Sequence, residues 1–153
     1  MSHELLIKTL KQSPRWHNPI HGEQHWHRVI SNGLCIADHA PGIDRAIIEL
    51  FGLLHDSMRV NDDEDPEHGL RAAEYAKTIR TMLAIDDLQF TKLIHAIRNH
   101  TNEIHNQDLT IGACYDADRL DLPRVGIIPN PKYLNTQFAK QLATEMQEGE
   151  KRT

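Results

Sequence analysis

The stretch Leu50-Phe51-Gly52-Leu53-Leu54-His55-Asp56 ends an apolar run on an imidazole followed by a carboxylate. Adjacent His and Asp side chains can ligate one divalent cation, and the second carboxylate oxygen can reach a neighbouring cation. The dipeptide alone is weak evidence for such a site. Its weight comes from further His and Asp residues at helical intervals along the chain, which are His25, His68, His100 and the segment 116–121.

Apolar residues repeat at three- and four-residue intervals through most of the sequence, which is the period of an α-helix. The pattern predicts helices over about 2–12, 23–39, 44–55, 66–82, 87–100, 114–121 and 133–146, with Asp65 as the N-cap of the fourth. The only extended candidate, 125–131, is interrupted by Gly126 and Pro129 and does not predict a strand. The sequence therefore predicts an all-α bundle of six to seven helices, followed by a frayed polar tail over 147–153.

A chain of 153 residues most simply forms one domain, over 1–153, and we expect its core at about 20–130. Seventeen basic and 22 acidic residues give a net charge of −5, which argues against a nucleic-acid polymer or an anionic membrane as partner. A small phosphorylated substrate held by a few arginines remains compatible. Two cysteines without CxxC spacing and the lack of a long apolar run predict a cytoplasmic protein. Homo-oligomerisation stays open.

Helical geometry sorts the histidines, because residues three or four apart share a face of a helix. Four predicted helices each bring a His or an Asp to the inward end of an apolar stripe, and these residues are His25, His55, His100 and Asp118. Buried charge is costly unless it is paired or bound to metal, so such a cluster predicts a cation. Nitrogen and oxygen ligands without thiolate favour iron, manganese, nickel, cobalt or zinc over magnesium.

Five segments of the chain resemble the HD-domain superfamily of metal-dependent phosphohydrolases, and in particular its small stand-alone bacterial members. They are HGEQHWHRV (21–29), LLHDSMRVND (53–62), DPEHGLRAAEYA (65–76), AIRNHT (96–101) and YDADRLDLPRVGIIP (115–129). The resemblance covers residues 20 to about 130. It implies a single helical HD domain and a divalent metal site, and it leaves the substrate open. The GYP signature of cyclic-dinucleotide phosphodiesterases is lacking.

The resemblance also implies metal ligands in this chain. For one ion they are His25, His55, Asp56 and Asp118. Members with two ions use two further histidines, which match His68 and His100 here, and Asp56 would then bridge the ions in a binuclear metal centre. Without metal, His68 reads as a first-turn residue after Pro66 and His100 as a helix-end residue interacting with the helix dipole.

Four further residues have two interpretations each. His21 is a loop residue before a helix or a proton donor at the mouth of the site. Arg28 and Arg59 pair with acidic neighbours or hold phosphate oxygens. Asp121 is expected to orient a metal ligand rather than to bind metal itself. The acidic segment 62–65 is a solvated loop or a border of the entrance.

The resemblance favours hydrolysis of a phosphate ester of a nucleotide or another small metabolite, with a metal-activated water as nucleophile. In this hypothesis His21 and Asp56 take part in catalysis, while Arg28 and Arg59 bind the substrate. The same set of four His and two Asp is also similar to HD-type di-iron oxygenases. A third hypothesis is a non-catalytic, metabolite-sensing HD module.

Overall fold

The computed structural model describes residues 3–152, and within that range it contains helices and no strand. Seven α-helices follow one another along the chain: α1 Glu4–Leu10, α2 Glu23–His39, α3 Arg45–Leu54, α4 His68–Thr78, α5 Asp87–Asn99, α6 Leu109–Arg119 and α7 Gln137–Lys151. Short 3₁₀ turns lie at Arg80–Met82, Leu122–Val125 and Pro131–Tyr133. The predicted all-α class is confirmed. Ser2 and Thr153, at the ends of the predicted first helix and tail, lie outside the described residues.

Polar side chains fix where several helices begin. The side chains of Asp44, Asp86, Asp108 and Thr136 each accept a hydrogen bond from a backbone N–H in the first turn of the helix that follows. Asp86 forms a capping box with Gln89, whose side chain accepts from the Asp86 backbone N–H in return. These bonds satisfy donors that a helix start would otherwise leave unpaired.

The predicted bounds of three helices are wrong, and the fourth helix shows why. It starts at His68 rather than Pro66, and Asp65 is not its N-cap. The Asp65 carboxylate accepts instead from the backbone N–H of Val60 at 2.8 Å and from Arg71 Nη2 at 2.6 Å. Asp65 therefore ties the preceding loop to α4. The fourth helix also ends at Thr78, so the predicted extension to Met82 is a 3₁₀ turn.

The other two corrections concern the last helices. α6 begins at Leu109, five residues before the predicted start, and ends at Arg119, so that Asp121 lies just beyond it. The last helix spans Gln137–Lys151 instead of 133–146, because Pro131–Tyr133 forms a separate turn and Thr136 is the cap. The predicted fraying from 147 is therefore wrong as far as Lys151. Polar residues there form the outer face of a helix that buries Ala139 and Ala143.

α3 is the central helix of the bundle. Seven of its ten residues are buried, and it packs against α2, α4, α5 and α6. Gly52 faces α2 so closely that an added Cβ would meet the side chain of Ile30 and, at 3.2 Å, the carbonyl oxygen of Trp26. Because α3 runs through the core, the His55 and Asp56 that follow it are delivered to the interior.

A second close approach joins α4 to α5. A Cβ at Gly69 would lie 2.8 Å from the carbonyl oxygen of Arg98 and 2.9 Å from that of Ile97. Both atoms belong to the backbone and cannot rotate away. Gly69 is next to His68, and these carbonyls precede His100, so the missing side chain lets the two histidines meet.

We expect Gly69→Ala to destabilise the metal-free protein by about 1–3 kcal/mol, because α4 and α5 must move apart. Urea unfolding followed by circular dichroism measures this change. Gly149→Ala is the matched control, since a Cβ there meets no atom within 4 Å and alanine favours a helix by up to about 1 kcal/mol. Equal stability of the two variants would contradict the close-packing argument.

Candidate metal centre

The structure brings the six predicted metal ligands together in the interior. They form two groups, and within each group the ligand atoms lie within 4.8 Å of one another. One group is His25, His55 and Asp118, and the other, next to it, is Asp56, His68 and His100. All except Asp118 are buried, and Asp118 is half-buried. Three helices (α2, α4 and α6) and the C-terminal ends of two others (α3 and α5) contribute, so the site exists only in the folded bundle.

Asp56 joins the two groups through its two carboxylate oxygens. Oδ2 lies 3.4 Å from His25 Nε2 and 3.6 Å from His55 Nε2. Oδ1 lies 3.3 Å from His68 Nε2 and 3.8 Å from His100 Nε2. Each oxygen therefore faces one histidine pair, which is the arrangement a bridging carboxylate needs.

Hydrogen bonds on the far side of each ring fix the histidine tautomers. In three of them Nδ1 donates to a backbone carbonyl oxygen. His55 donates to Phe51 and Gly52, His68 donates to Asp65, and His100 donates to Ile97. His25 Nδ1 donates to Asp121 Oδ2 at 2.7 Å. Since a carbonyl oxygen only accepts, Nδ1 holds the proton and Nε2 of the neutral ring offers a lone pair to the centre.

This tautomer pattern tests whether the residues fit a metal. His25 Nε2 lies 3.0 Å from His55 Nε2, and His68 Nε2 lies 2.9 Å from His100 Nε2. In the neutral rings, two acceptors would face each other in each pair, so each pair requires an added proton or a cation. Separations near 3 Å are also those expected between ligands about 2.0–2.2 Å from a shared ion. The donor set therefore fits one transition-metal ion in each group.

The electrostatics of the first group favour positive charge. Burial alone would lower the pKa of His25, but hydrogen bonds with Asp118, Asp121 and Asp56 outweigh it and raise the pKa to about 10. Burial would raise the pKa of Asp56, whereas the neighbouring histidines hold it well below its usual value. A divalent ion would meet the same need for positive charge as a proton on His25.

Asp121 supports His25 from behind, as predicted for a residue that orients a ligand. Its Oδ2 accepts from His25, and its Oδ1 accepts from Arg28 Nε at 2.8 Å. Arg28 is partly exposed and does not line the cavity in front of the ligands. The geometry of Arg28 is that of the first interpretation, pairing with an acidic neighbour.

A central cavity of about 420 Å³ opens in front of the two groups. Its walls include the ligands Asp56, His100 and Asp118 and the predicted His21 and Arg59, together with Asp62, Thr101, Arg119, Leu122, Arg124 and Val125. Arg119 and Arg124 were not predicted from the sequence as site residues. Arg124 follows Asp121 by three residues in a 3₁₀ turn, where helical periodicity gives no signal.

The three arginines in the wall are engaged differently. Arg59 Nε donates to Asp56 Oδ1 at 3.2 Å, and Arg124 Nε donates to the carbonyl oxygen of Ile20 at 2.9 Å. Both keep Nη2 without a partner among the described residues. Arg119 donates from Nη1 and Nη2 to backbone carbonyl oxygens. Arg59 and Arg124 are therefore the guanidinium groups that could hold an anion in the cavity.

His21 and Asp62 form a pair on the same wall. His21 Nδ1 lies 3.1 Å from Asp62 Oδ1, and Arg15 Nη1 and Asn18 Nδ2 hold the Asp62 carboxylate at 3.0 Å each. Burial lowers the pKa of His21 although Asp56 and Asp62 oppose this shift. Asp62 thus borders the cavity, which agrees with the second interpretation of the acidic segment.

The fold has a counterpart among solved structures. A crystal structure described as a predicted HD superfamily hydrolase from an uncultured Thermotogales bacterium superposes with a TM-score of 0.74 and 24% sequence identity. The match covers 98% of this chain and 90% of the other. No family model matches the sequence, and the comparison with curated proteins gives no match either.

The structural match shows that the chain has the same helical fold as that protein, which confirms the fold implied by the sequence resemblance. The buried His and Asp groups add metal-binding capacity to that fold. Among residues 3–152, no helix has the length and apolar character needed to cross a bilayer.

We expect Asp121→Ala to weaken metal binding about 10- to 100-fold, because His25 loses the acceptor that orients its ring. Competition with a chelator measures the affinity. The metal affinity of Asp121→Asn should lie between those of Asp121→Ala and the wild type, since an amide oxygen still accepts from His25 Nδ1.

Asp38→Ala is the matched control, as Asp38 also pairs with an arginine but lies on the surface at Arg45. If Asp121→Ala binds metal as tightly as Asp38→Ala does, Asp121 has no orienting role.

Proposed function

We propose that this protein is a metal-dependent phosphohydrolase acting on the ester bond of a small phosphorylated compound. The single observation that carries the proposal is the pair of facing imidazoles on each side of Asp56, open to a cavity with two available guanidinium groups. The neighbour with this fold is described as a predicted hydrolase, which supports the same class.

We propose a binuclear centre. His25, His55, Asp118 and Asp56 Oδ2 would hold one ion, and Asp56 Oδ1, His68 and His100 would hold the other. Each set contains two neutral imidazoles, which favours iron, manganese, nickel, cobalt or zinc over magnesium. When bound, the ions would act as Lewis acids and lower the pKa of a water to near neutrality.

The reaction forms one bond from a water oxygen to phosphorus and breaks the ester P–O bond, releasing an alcohol and phosphate. Arg59 and Arg124 would hold phosphate oxygens, because their free Nη2 atoms suit an oxyanion whose charge increases in the transition state. Asp56 fixes Arg59 at Nε, and the Ile20 carbonyl fixes Arg124. Both guanidinium groups are thus placed before the substrate arrives.

His21 is the candidate proton donor to the departing alcohol oxygen. The Asp62 carboxylate accepts from Nδ1 and leaves Nε2 as the group that can exchange a proton. Asp62 is in turn held by Arg15 and Asn18, so the ring has a fixed orientation. The negative net charge of the chain and the cavity volume of about 420 Å³ favour a small substrate over a nucleic-acid polymer.

The first test is a panel of phosphate esters assayed for phosphate release with Mn, Fe, Ni, Co, Zn or Mg. We expect a transition metal to support turnover and a chelator to abolish it. His55→Ala and Asp56→Ala should lower kcat/KM by about 10²–10³ or more, equivalent to several kcal/mol of lost charge stabilisation. His27→Ala is the control, because His27 is exposed on α2 two residues from His25.

Different results would support the other candidates. Oxygen-dependent substrate loss without phosphate release would identify an oxygenase, and metabolite binding without turnover would identify a sensing module. Full activity of both His55→Ala and Asp56→Ala, with folding confirmed by circular dichroism, would contradict the metal site itself.

Metal content tests the binuclear arrangement separately. Two equivalents are expected in the wild type, about one in His68→Ala and none in Asp56→Ala, because Asp56 faces both histidine pairs. Elemental analysis of protein purified without oxygen and dialysed against buffer gives the count. One equivalent in both the wild type and His68→Ala would show that the second group does not hold an ion.

A further inference from the structure

A smaller cavity of about 180 Å³, which we call the apolar annex, adjoins the central cavity. Five of its eight lining residues are apolar or aromatic: Ile104, Leu122, Pro129, Tyr133 and Leu134. Its volume is below the range of about 300–1,000 Å³ that holds a whole drug-sized ligand. The annex therefore has room for one part of a ligand, such as a single ring.

The annex and the central cavity share part of their walls. Thr101, Arg119 and Leu122 line both of them. Thr101 follows the candidate ligand His100 directly, and Arg119 follows Asp118. A group bonded to a phosphate at the metal ligands is therefore within reach of the annex.

Arg119 ties the walls of the annex together. Its Nη1 donates to the carbonyl oxygens of Ile104 at 2.6 Å and Tyr133 at 2.8 Å, and its Nη2 donates to that of Glu103 at 2.6 Å. Asn135 Nδ2 donates to the Ile104 carbonyl as well, at 3.1 Å. The annex is thus a cleft between the segments around residues 104 and 133, which these hydrogen bonds hold together. Nη1 and Nη2 of Arg119 are therefore already in use as donors.

Three of the eight exposed large apolar side chains in the described part of the chain line these two cavities. Among residues 3–152, Ile104 is 44% exposed and Tyr133 45% exposed, and both line the annex, while Val125 is 43% exposed and lines the central cavity. Large apolar side chains in water are unfavourable, and covering them with an apolar ligand regains the transfer free energy. A sugar placed there would exchange hydrogen bonds to water for a wall in which only Thr101, Asn130 and the Tyr133 hydroxyl could offer uncharged side-chain partners.

We propose that the annex binds the leaving group and that the substrates are phosphate monoesters whose alcohol carries an apolar ring. This inference rests on the proposed hydrolase function. Phosphate would lie at Arg59, Arg124 and the metal ligands, and the ring would lie against Ile104, Leu122 and Tyr133. The annex would then select the substrate without taking part in the chemistry.

The test compares ligands that differ only in the ring. In the presence of the metal that supports turnover, kcat/KM for 2-phenylethyl phosphate should be about 10- to 100-fold higher than for ethyl phosphate or glycerol phosphate. This ratio corresponds to the free energy gained by burying one aromatic ring. Independently of turnover, calorimetry should show the same preference for 2-phenylethylphosphonate over ethylphosphonate, which cannot be hydrolysed at an ester bond.

Ile104→Asn should remove most of this preference. Ile127→Asn should keep it, and is a matched control because Ile127 is 52% exposed and lines neither cavity. Equal binding of the two phosphonates, or equal behaviour of the two variants, would overturn the annex proposal while leaving the hydrolase proposal intact. If no ester is hydrolysed and neither phosphonate binds, both proposals fail. Ring-selective phosphonate binding without any hydrolysis would support the annex and contradict the hydrolase.

Discussion

The buried carboxylate of Asp56 is the constraint on which the rest of the site depends. It lies among four imidazoles that all present Nε2 towards it, since their Nδ1 atoms already donate elsewhere. A buried charge is tolerated only with compensation; Arg59 supplies part of it at Oδ1, and unprotonated imidazoles supply none. The interior therefore needs positive charge between these groups, and a divalent ion supplies it without disturbing the outer hydrogen bonds.

The bundle is arranged so that this set can assemble. α3 is buried along most of its length, which places the His55-Asp56 pair in the interior. Gly52 and Gly69 allow neighbouring helices to approach where a methyl group would prevent it. The backbone carbonyls at the ends of α3 and α5 then serve as acceptors for His55 and His100. Packing and ligand orientation thus come from the same helix ends.

Much of the fold, and which of the candidate ligands on the helices face inward, could be predicted from the sequence because helical periodicity is local. The spacing of His25 from Val29, or of His100 from Ile97, decides which side of a helix faces inward. Helix ends were less predictable. Asp65, for example, is a residue type that often caps a helix, yet its carboxylate binds Arg71 across a turn. Arg119 was missed for a related reason. Its acceptors lie on segments around 104 and 133, whose proximity no periodic pattern reveals.

Arg119 also separates two requirements that one cavity would otherwise have to meet together. Phosphate needs available cationic donors, and Arg59 and Arg124 keep such donors. An apolar ring needs apolar walls, and Arg119 holds together the segments that carry Ile104 and Tyr133 by donating to their carbonyl oxygens. Since Arg119 follows Asp118 directly, a single short segment sets both the metal-facing wall and the border of the annex. A change in this segment would therefore alter ligand geometry and leaving-group selection together, whereas a change at Ile104 would alter only the latter.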